Sequence, residues 1–111
     1  MTFLRIWRTR VCLDRLDEYE RFVSEESLPM FRAQTGFLGV LFSRREDGLA
    51  VLSFWRDQAS VDALDTSATY QHAVQTIDGT GFLTGDSRLD VYEIHAGAVD
   101  DASALFGHEA P

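Results

Sequence analysis

The sequence contains no lysine and no asparagine, so all 10 of its basic residues are arginines. Without a lysine the chain cannot perform Schiff-base chemistry through that side chain, which excludes a lysine-bound pyridoxal phosphate. Any permanent side-chain cation in a binding site is therefore an arginine.

Cysteine and long apolar runs are also scarce. Cys12 is the single cysteine, so no internal disulfide forms, and a reducing cytoplasm is the expected location. No apolar run approaches the ~20 residues that a membrane span needs. The first residues enter a strand-like run directly, without the layout of a signal peptide. We therefore expect a cytoplasmic protein with no membrane partner.

Acidic residues outnumber basic ones by 18 to 10, which gives a net charge of -8 at pH 7. Such a chain repels the phosphates of nucleic acid and an anionic membrane surface. The length of 111 residues suits one domain, and 45% apolar with 25% charged residues is ordinary for a globular protein. We expect no nucleic-acid partner.

The periodicity of the first half of the chain predicts a strand, a helix and a hairpin. Residues 2–11 alternate as a strand does, and both of its faces begin apolar. Asp14 is a suitable N-cap for a helix whose apolar stripe recurs at helical spacing until Pro29 ends or kinks it. Residues 38–45 and 49–56 then alternate on either side of Glu46-Asp47-Gly48, a turn that permits positive φ angles.

The second half predicts one more helix and one more strand. Asp57 caps a helix that extends to about residue 78, with an interruption near Thr66 and Ser67. A glycine-rich connection leads to a last strand over residues 89–95. The order β-α-β-β-α-β predicts an α+β, ferredoxin-like domain with a four-stranded antiparallel sheet over residues 1–95. Residues 96–111 form a small acidic tail.

Both faces of the predicted sheet carry large apolar residues, although helices can cover only one of them. Strand one presents Phe3 and Trp7 on one face and Leu4 and Ile6 on the other. A chain of this length cannot cover the second face alone. We therefore expect a homodimer in which two sheets pack face to face.

The chain resembles the antibiotic biosynthesis monooxygenase (ABM) domain family of the dimeric α+β barrel superfamily over about residues 3–94. The resemblance rests on the order and spacing of short phrases: Ile6-Trp7-Arg8, Tyr19-Glu20, Gly36-Phe37-Leu38-Gly39, Arg45-Glu46-Asp47-Gly48, Ser53-Phe54-Trp55 and Val91-Tyr92-Glu93-Ile94. It implies a barrel-forming dimer with a pocket between sheet and helices. The family includes cofactor-independent oxygenases of phenols and quinols, haem-degrading enzymes, and members of no known activity.

The family's site residues do not all have counterparts here. The phenol oxygenases depend in part on an asparagine, which this chain lacks. Haem-degrading members use an asparagine, a tryptophan and a histidine ligand, and these three positions fall on Trp7, Leu64 and Val74. His72 precedes the last of them by two residues, which rotates it by ~200° around a helix.

Three residues are the candidate catalytic groups. His72 suits a general base or haem ligand, and its alternative is a solvated or capping helix histidine. Arg8 suits a cation for an enolate or phenolate, and its alternative is a salt bridge across the sheet or dimer. Tyr92 suits a hydrogen bond to a phenol or quinone oxygen, and its alternative is packing with the hydroxyl at the surface.

Three aromatic residues are the candidate substrate-binding groups. Trp7 and Trp55 can enclose a flat aromatic ring, whereas the alternative for both is core packing in the sheet. Tyr70 can hydrogen-bond the same substrate, with surface packing as its alternative. No metal site is expected because no His, Cys, Asp and Glu spacing matches one.

The sequence thus favours a cofactor-independent monooxygenase-like protein acting on a small phenol or hydroquinone. Such substrates form carbanion-like or radical species that react with oxygen directly, so the protein needs to bind, deprotonate and exclude water. One alternative is a dimeric ligand-binding or stress-linked protein without turnover. A second alternative is a haem-binding or haem-degrading monooxygenase, although no cofactor is the expectation.

Overall fold

The computed structural model describes residues 1–106, which form a four-stranded antiparallel sheet with helices on one face. The strands are β1 (Thr2–Val11), β2 (Phe37–Arg45), β3 (Gly48–Trp55) and β4 (Leu83–Ile94), in the sheet order β2-β3-β1-β4. The helices are α1 (Leu16–Phe22), α2 (Leu28–Arg32), α3 (Gln58–Thr66), α4 (Ala68–Thr80) and α5 (Ala102–Phe106). The predicted α+β, ferredoxin-like arrangement is confirmed.

Alternation along the strands gives the sheet a helix face and an open face. On β1, Arg5, Thr9 and Val11 are buried under the helices. The even-numbered residues of β1 lie on the open face, where Leu4 pairs with Phe54 and Tyr92 across the neighbouring strands. The open face also carries several side chains that are only partly buried: Ile6, Leu41, Leu52 and Ile94.

The helix face is covered by two apolar clusters. One surrounds Phe82, whose ring meets those of Tyr19 and Phe22 edge-on at about 6 Å. The other surrounds Trp55, which is 0% exposed and contacts Phe31 and Phe37. The indole N–H of Trp55 donates to Ser53 Oγ at 2.9 Å, so its one polar group is satisfied in the core.

Three local features differ from the predicted pattern. Asp14 does not cap the first helix, because it lies inside a 3₁₀ turn (Leu13–Arg15) and α1 begins after this turn without a side-chain cap. Pro29 does not end the first helix, because a π-helical turn (Val23–Ser27) joins α1 to α2 just before it. The backbone hydrogen bonds of a π turn span five residues instead of the four of an α-helix. This wider spacing accommodates Pro29, which has no backbone N–H to donate. Strand β4 begins at Leu83, six residues before the predicted start, because Gly85, at φ 76°, lies in a bulge that shifts the register against β1.

The hairpin and the second helix match their predictions closely. Strands β2 and β3 each lie within one residue of the predicted bounds, and Glu46 in the turn has φ 55°. Asp57 accepts the backbone N–H of Ser60 at 2.8 Å as the N-cap of α3, and Ser67 begins α4 at the predicted interruption. Of the predicted tail, residues 107–111 lie outside the described part of the chain. None of the helices in residues 1–106 is long and apolar enough to cross a membrane.

Candidate functional site

A cavity of about 360 Å³ lies between the helix face of the sheet and the helices. This volume is at the small end of the range for small-molecule sites, which suits a ligand of one or two rings. Its walls are mainly aromatic and aliphatic: Trp7, Tyr19, Phe22, Phe31, Phe42, Val51, Tyr70, Ala73, Val74 and Ile77. The cavity therefore favours a flat apolar compound.

One cation lies in the wall of this cavity. Arg5 is only 4% exposed, and its Nη2 donates a hydrogen bond to Tyr70 Oη at 2.7 Å. The ion pairs found among residues 1–106 involve other arginines, and none joins Arg5 to a carboxylate within 4.0 Å. A buried cation without a counter-charge is costly, so an anionic ligand atom beside Arg5 would be strongly stabilised.

Tyr70 completes this polar part of the cavity. It lies in the first turn of α4, where Ser67 Oγ accepts its backbone N–H at 3.3 Å and fixes the start of the helix. Because Tyr70 Oη accepts the hydrogen of Arg5, its own O–H remains available to donate. Arg5 and Tyr70 thus place a guanidinium group and a hydroxyl group 2.7 Å apart in the cavity lining, and donors of this kind stabilise an oxyanion.

A second phenol lies in the cavity wall. Tyr19 is 4% exposed, and burial raises the pKa of its hydroxyl above the usual range. It therefore stays neutral at physiological pH and contributes a polar group without charge. Two carboxylates also line the cavity, those of Asp65 and Asp78, and both residues are exposed. Ser87 and Leu89 on β4 are exposed lining residues as well. These four residues mark the mouth.

Two of the predicted site residues line the cavity. Trp7 is half-buried and points to the helix face from the same strand as Arg5, two residues away. Tyr70 contacts Arg5 from α4. Strand alternation and the helical turn thus bring Arg5, Trp7 and Tyr70 to one place, although Arg5 and Tyr70 are separated by 65 positions in the sequence.

The other four predicted site residues lie outside the cavity. Arg8 is on the open face, where Nη1 is 2.9 Å from Asp90 Oδ2, because it differs in strand parity from Arg5. Tyr92 is 53% exposed on the same face. Trp55 is a core residue. His72 is exposed on α4, in a surface depression that it shares with Glu25 and Glu26.

The surroundings of His72 do not fit a haem. The carboxylates of Glu25 and Glu26 beside it repel the propionates of a haem, and His72 does not line the apolar cavity. Within residues 1–106 no group of three His, Cys, Asp or Glu side chains is placed to hold a metal ion.

Arg5 was not singled out from the sequence, although a signal was present. It shares strand parity with Trp7, which the alternation of β1 places on the same face. Its partner across β3 is Ser53, a small residue in an otherwise bulky row. An arginine between large apolar residues on a strand's buried face indicates a cation that a site requires.

Comparison with known proteins finds the fold in solved structures. No protein-family model and no curated protein matches the sequence. SnoaB, a cofactor-independent oxygenase from Streptomyces nogalater, superposes with a TM-score of 0.71 at 13% identity, over 86% of this chain and 95% of that one. A protein of unknown function from Nitrosomonas europaea, NE2512, gives 0.71 at 14% identity, over 91% and 96% of the two chains.

A structure described as an antibiotic biosynthesis monooxygenase gives a TM-score of 0.68 at 12% identity, over 85% of this chain and 99% of that one. The chain is thus similar along nearly its whole described length both to oxygenases and to a protein of unknown function. At these identities the comparison establishes the fold.

Proposed function

We propose that this chain, which has the fold of the antibiotic biosynthesis monooxygenase structures, is a cofactor-independent monooxygenase of a small phenol or hydroquinone. The observation that carries the proposal is the buried guanidinium of Arg5 in an aromatic cavity, without a carboxylate partner among residues 1–106. An aromatic substrate that ionises at one oxygen supplies a ring that packs against the apolar walls. It also supplies the negative charge that would pair with Arg5.

Arg5 and Tyr70 favour the ionised substrate. Hydrogen bonds and a positive charge next to a phenol oxygen lower the pKa of the bound phenol, and its proton leaves to water at the mouth. The electron-rich ring then reacts with O₂. For a hydroquinone, one oxygen atom enters the ring and the other leaves as water, with all electrons supplied by the substrate. A hydroquinone and O₂ thus give a hydroxyquinone and one molecule of H₂O.

The remaining walls orient the ring and limit water. Trp7 lies beside Arg5 on the strand and offers an indole surface for the substrate ring. The proposal gives the role first predicted for Arg8 to Arg5, and it assigns no role to His72 or Tyr92. Those three side chains lie where a substrate in the cavity does not reach them.

Oxygen uptake across a panel of hydroquinones and phenols tests the reaction. We expect uptake with at least one single-ring or two-ring substrate, and a rate about 10-fold or more lower in Tyr70→Phe, because a hydrogen bond to a charged oxygen is lost. Tyr92→Phe removes the same hydroxyl from the open face and is the matched control, with an unchanged rate. Absence of uptake with every substrate contradicts the proposed reaction.

A ligand-binding protein without turnover is the second candidate. The observation that favours it is the absence of histidine from the residues that line the cavity, where the carboxylates belong to the exposed Asp65 and Asp78. The candidate general bases among the lining residues are therefore carboxylates at the mouth of the cavity, and none of them is buried beside Arg5. Saturable binding of a phenol without oxygen uptake would support this candidate and exclude the oxygenase.

A haemin titration followed at the Soret band tests the haem alternative. We expect no saturable shift that depends on His72, because this side chain lies on an acidic surface away from the cavity. Wild type and His72→Ala should give the same spectra. A shift near one haem per chain that disappears in His72→Ala would contradict this expectation.

We also propose a homodimer that pairs the open faces of two sheets. The support is the row of partly buried apolar side chains on that face, including Ile6, Leu52 and Phe54. Light scattering should give a mass near twice 12.5 kDa at micromolar concentration. Leu52→Arg places a charge at the centre of the row and should produce the monomer. A monomeric wild type would contradict the pairing.

A further inference from the structure

We infer that the protein binds a small multivalent oxyanion in a second site, a cleft at the hairpin end of the sheet, beyond the apolar row of Ile6, Leu52 and Phe54 through which two copies pair in the proposed dimer. This cleft, of about 750 Å³, is lined by four of the 10 arginines in the chain: Arg8, Arg10, Arg44 and Arg45. None of its lining residues lines the aromatic cavity. The inference is therefore independent of the proposed oxygenase function.

Strand register builds the cleft. Gly48 on β3 pairs with Arg10 on one side and with Arg45 on the other, so a residue without a side chain separates two arginines. Two positions along β3, Ala50 pairs with Arg8 and Ser43 in the same way. Small residues thus form the floor of the cleft between arginines of two flanking strands.

The positive charge of the cleft is only partly neutralised within the described chain. Arg10, Arg44 and Arg45 make no ion pair within 4.0 Å among residues 1–106, although Glu46 and Asp47 belong to the same cleft. Arg44 donates instead to the backbone carbonyl of Glu46 at 2.8 Å. The carboxylate of Asp90 is shared by Arg8 and Arg88, at 2.9 and 3.4 Å.

This concentration of cations is unusual in a chain of net charge -8. Mutual repulsion of the guanidinium groups opposes their clustering, and an anion between them reverses that cost. Guanidinium groups bind phosphate and carboxylate oxygens through paired N–H donors, so several of them around a small floor suit an oxyanion with two or more charges. The net negative charge disfavours a nucleic acid as the source.

Isothermal titration at low salt with pyrophosphate and, separately, with citrate tests the inference. We expect saturable binding of about one anion per chain, weakened about 10-fold or more in the double variant Arg10→Gln with Arg45→Gln. Tighter binding of pyrophosphate would identify a phosphoryl ligand, and tighter binding of citrate a polycarboxylate. The double variant Arg21→Gln with Arg32→Gln removes two exposed arginines outside the cleft, so it is the control for net charge and should bind as wild type does.

Three results would overturn the inference. The first is an absence of saturable binding of either anion. The second is equal weakening in the control double variant at Arg21 and Arg32 and in the double variant at Arg10 and Arg45, which would indicate a diffuse charge effect. The third is a change of oligomeric state in the double variant at Arg10 and Arg45 without anion binding, which would mean that these arginines meet carboxylates of a second copy. Phenol binding in the aromatic cavity should remain unchanged in the variant at Arg10 and Arg45, because the two sites share no lining residue. The anion test therefore stands even if the protein does not bind phenols.

Discussion

Replacing Arg5 with methionine is expected to weaken the binding of ionised phenols by at least about 10-fold, while the protein stays at least as stable as the wild type. Arg5 is buried, lacks a carboxylate partner among residues 1–106, and makes its side-chain hydrogen bond to Tyr70. Loss of a charged hydrogen-bond donor lowers affinity by about 10-fold to 100-fold. Methionine has a similar length and no charge, so the substitution removes a buried cation from the folded state. We expect it to raise the free energy of unfolding by about 0 to 1 kcal/mol.

The opposite signs of these two effects distinguish a functional cation from a structural one. Ligand affinity is measured by fluorescence titration and the free energy of unfolding by urea denaturation. Arg8→Met is the matched control, since it removes a guanidinium from the same strand on the open face. It should leave phenol affinity unchanged and cost at most about 1 kcal/mol, the usual value of an exposed ion pair. A large loss of stability in Arg5→Met would mean that Arg5 holds the fold rather than a ligand.

Replacing Trp55 with alanine is expected to lower the free energy of unfolding by about 3–5 kcal/mol, because a fully buried aromatic side chain leaves a cavity in the core. The side chain contacts Phe31 and Phe37 and donates to Ser53, and all of these contacts are lost together. The free energy of unfolding of a small domain is about 5–15 kcal/mol in total, so the expected loss is a large fraction of the stability. Urea denaturation followed by circular dichroism measures it.

Trp7→Ala is the informative comparison for this variant. Trp7 is half-buried and lines the aromatic cavity, so its removal enlarges an existing space rather than creating one in the core. We expect Trp7→Ala to lose less stability than Trp55→Ala and to lose ligand affinity instead. Equal stability losses in the two variants would contradict the separation of core and site.

Strand alternation and turn chemistry were sufficient to predict most of the fold. The alternation of β1 separates Trp7 from Ile6, and Asp47-Gly48 predicts the hairpin. The beginning of β4 was misplaced because a bulge at Gly85 continues the strand through residues that have the composition of a loop. Pro29 was expected to end or kink the first helix, and the π turn before it preserves the helical path.

The composition of the site was harder to predict because the site joins distant segments. Trp7 and Tyr70 were expected to bind substrate, and both line the cavity. The arginine of the cavity was not identified, because Arg5, Arg8 and Arg10 look equivalent until the parity of β1 is combined with the packing of α4. His72 and Tyr92 were selected by residue type, and their exposure is decided by helix rotation and strand parity, which only tertiary packing makes visible.

Titration of 4-nitrophenol with the purified protein tests the central claim most directly, because the phenol and phenolate forms of this compound absorb at different wavelengths. The pH is held below the pKa of free nitrophenol. If Arg5 and Tyr70 bind the ionised form, added wild-type protein shifts bound nitrophenol towards phenolate, and the phenolate band grows until the sites are saturated. Added Arg5→Met protein should leave the phenolate band unchanged. No spectral change, or an increase that persists in Arg5→Met, would contradict an anion-stabilising site at Arg5.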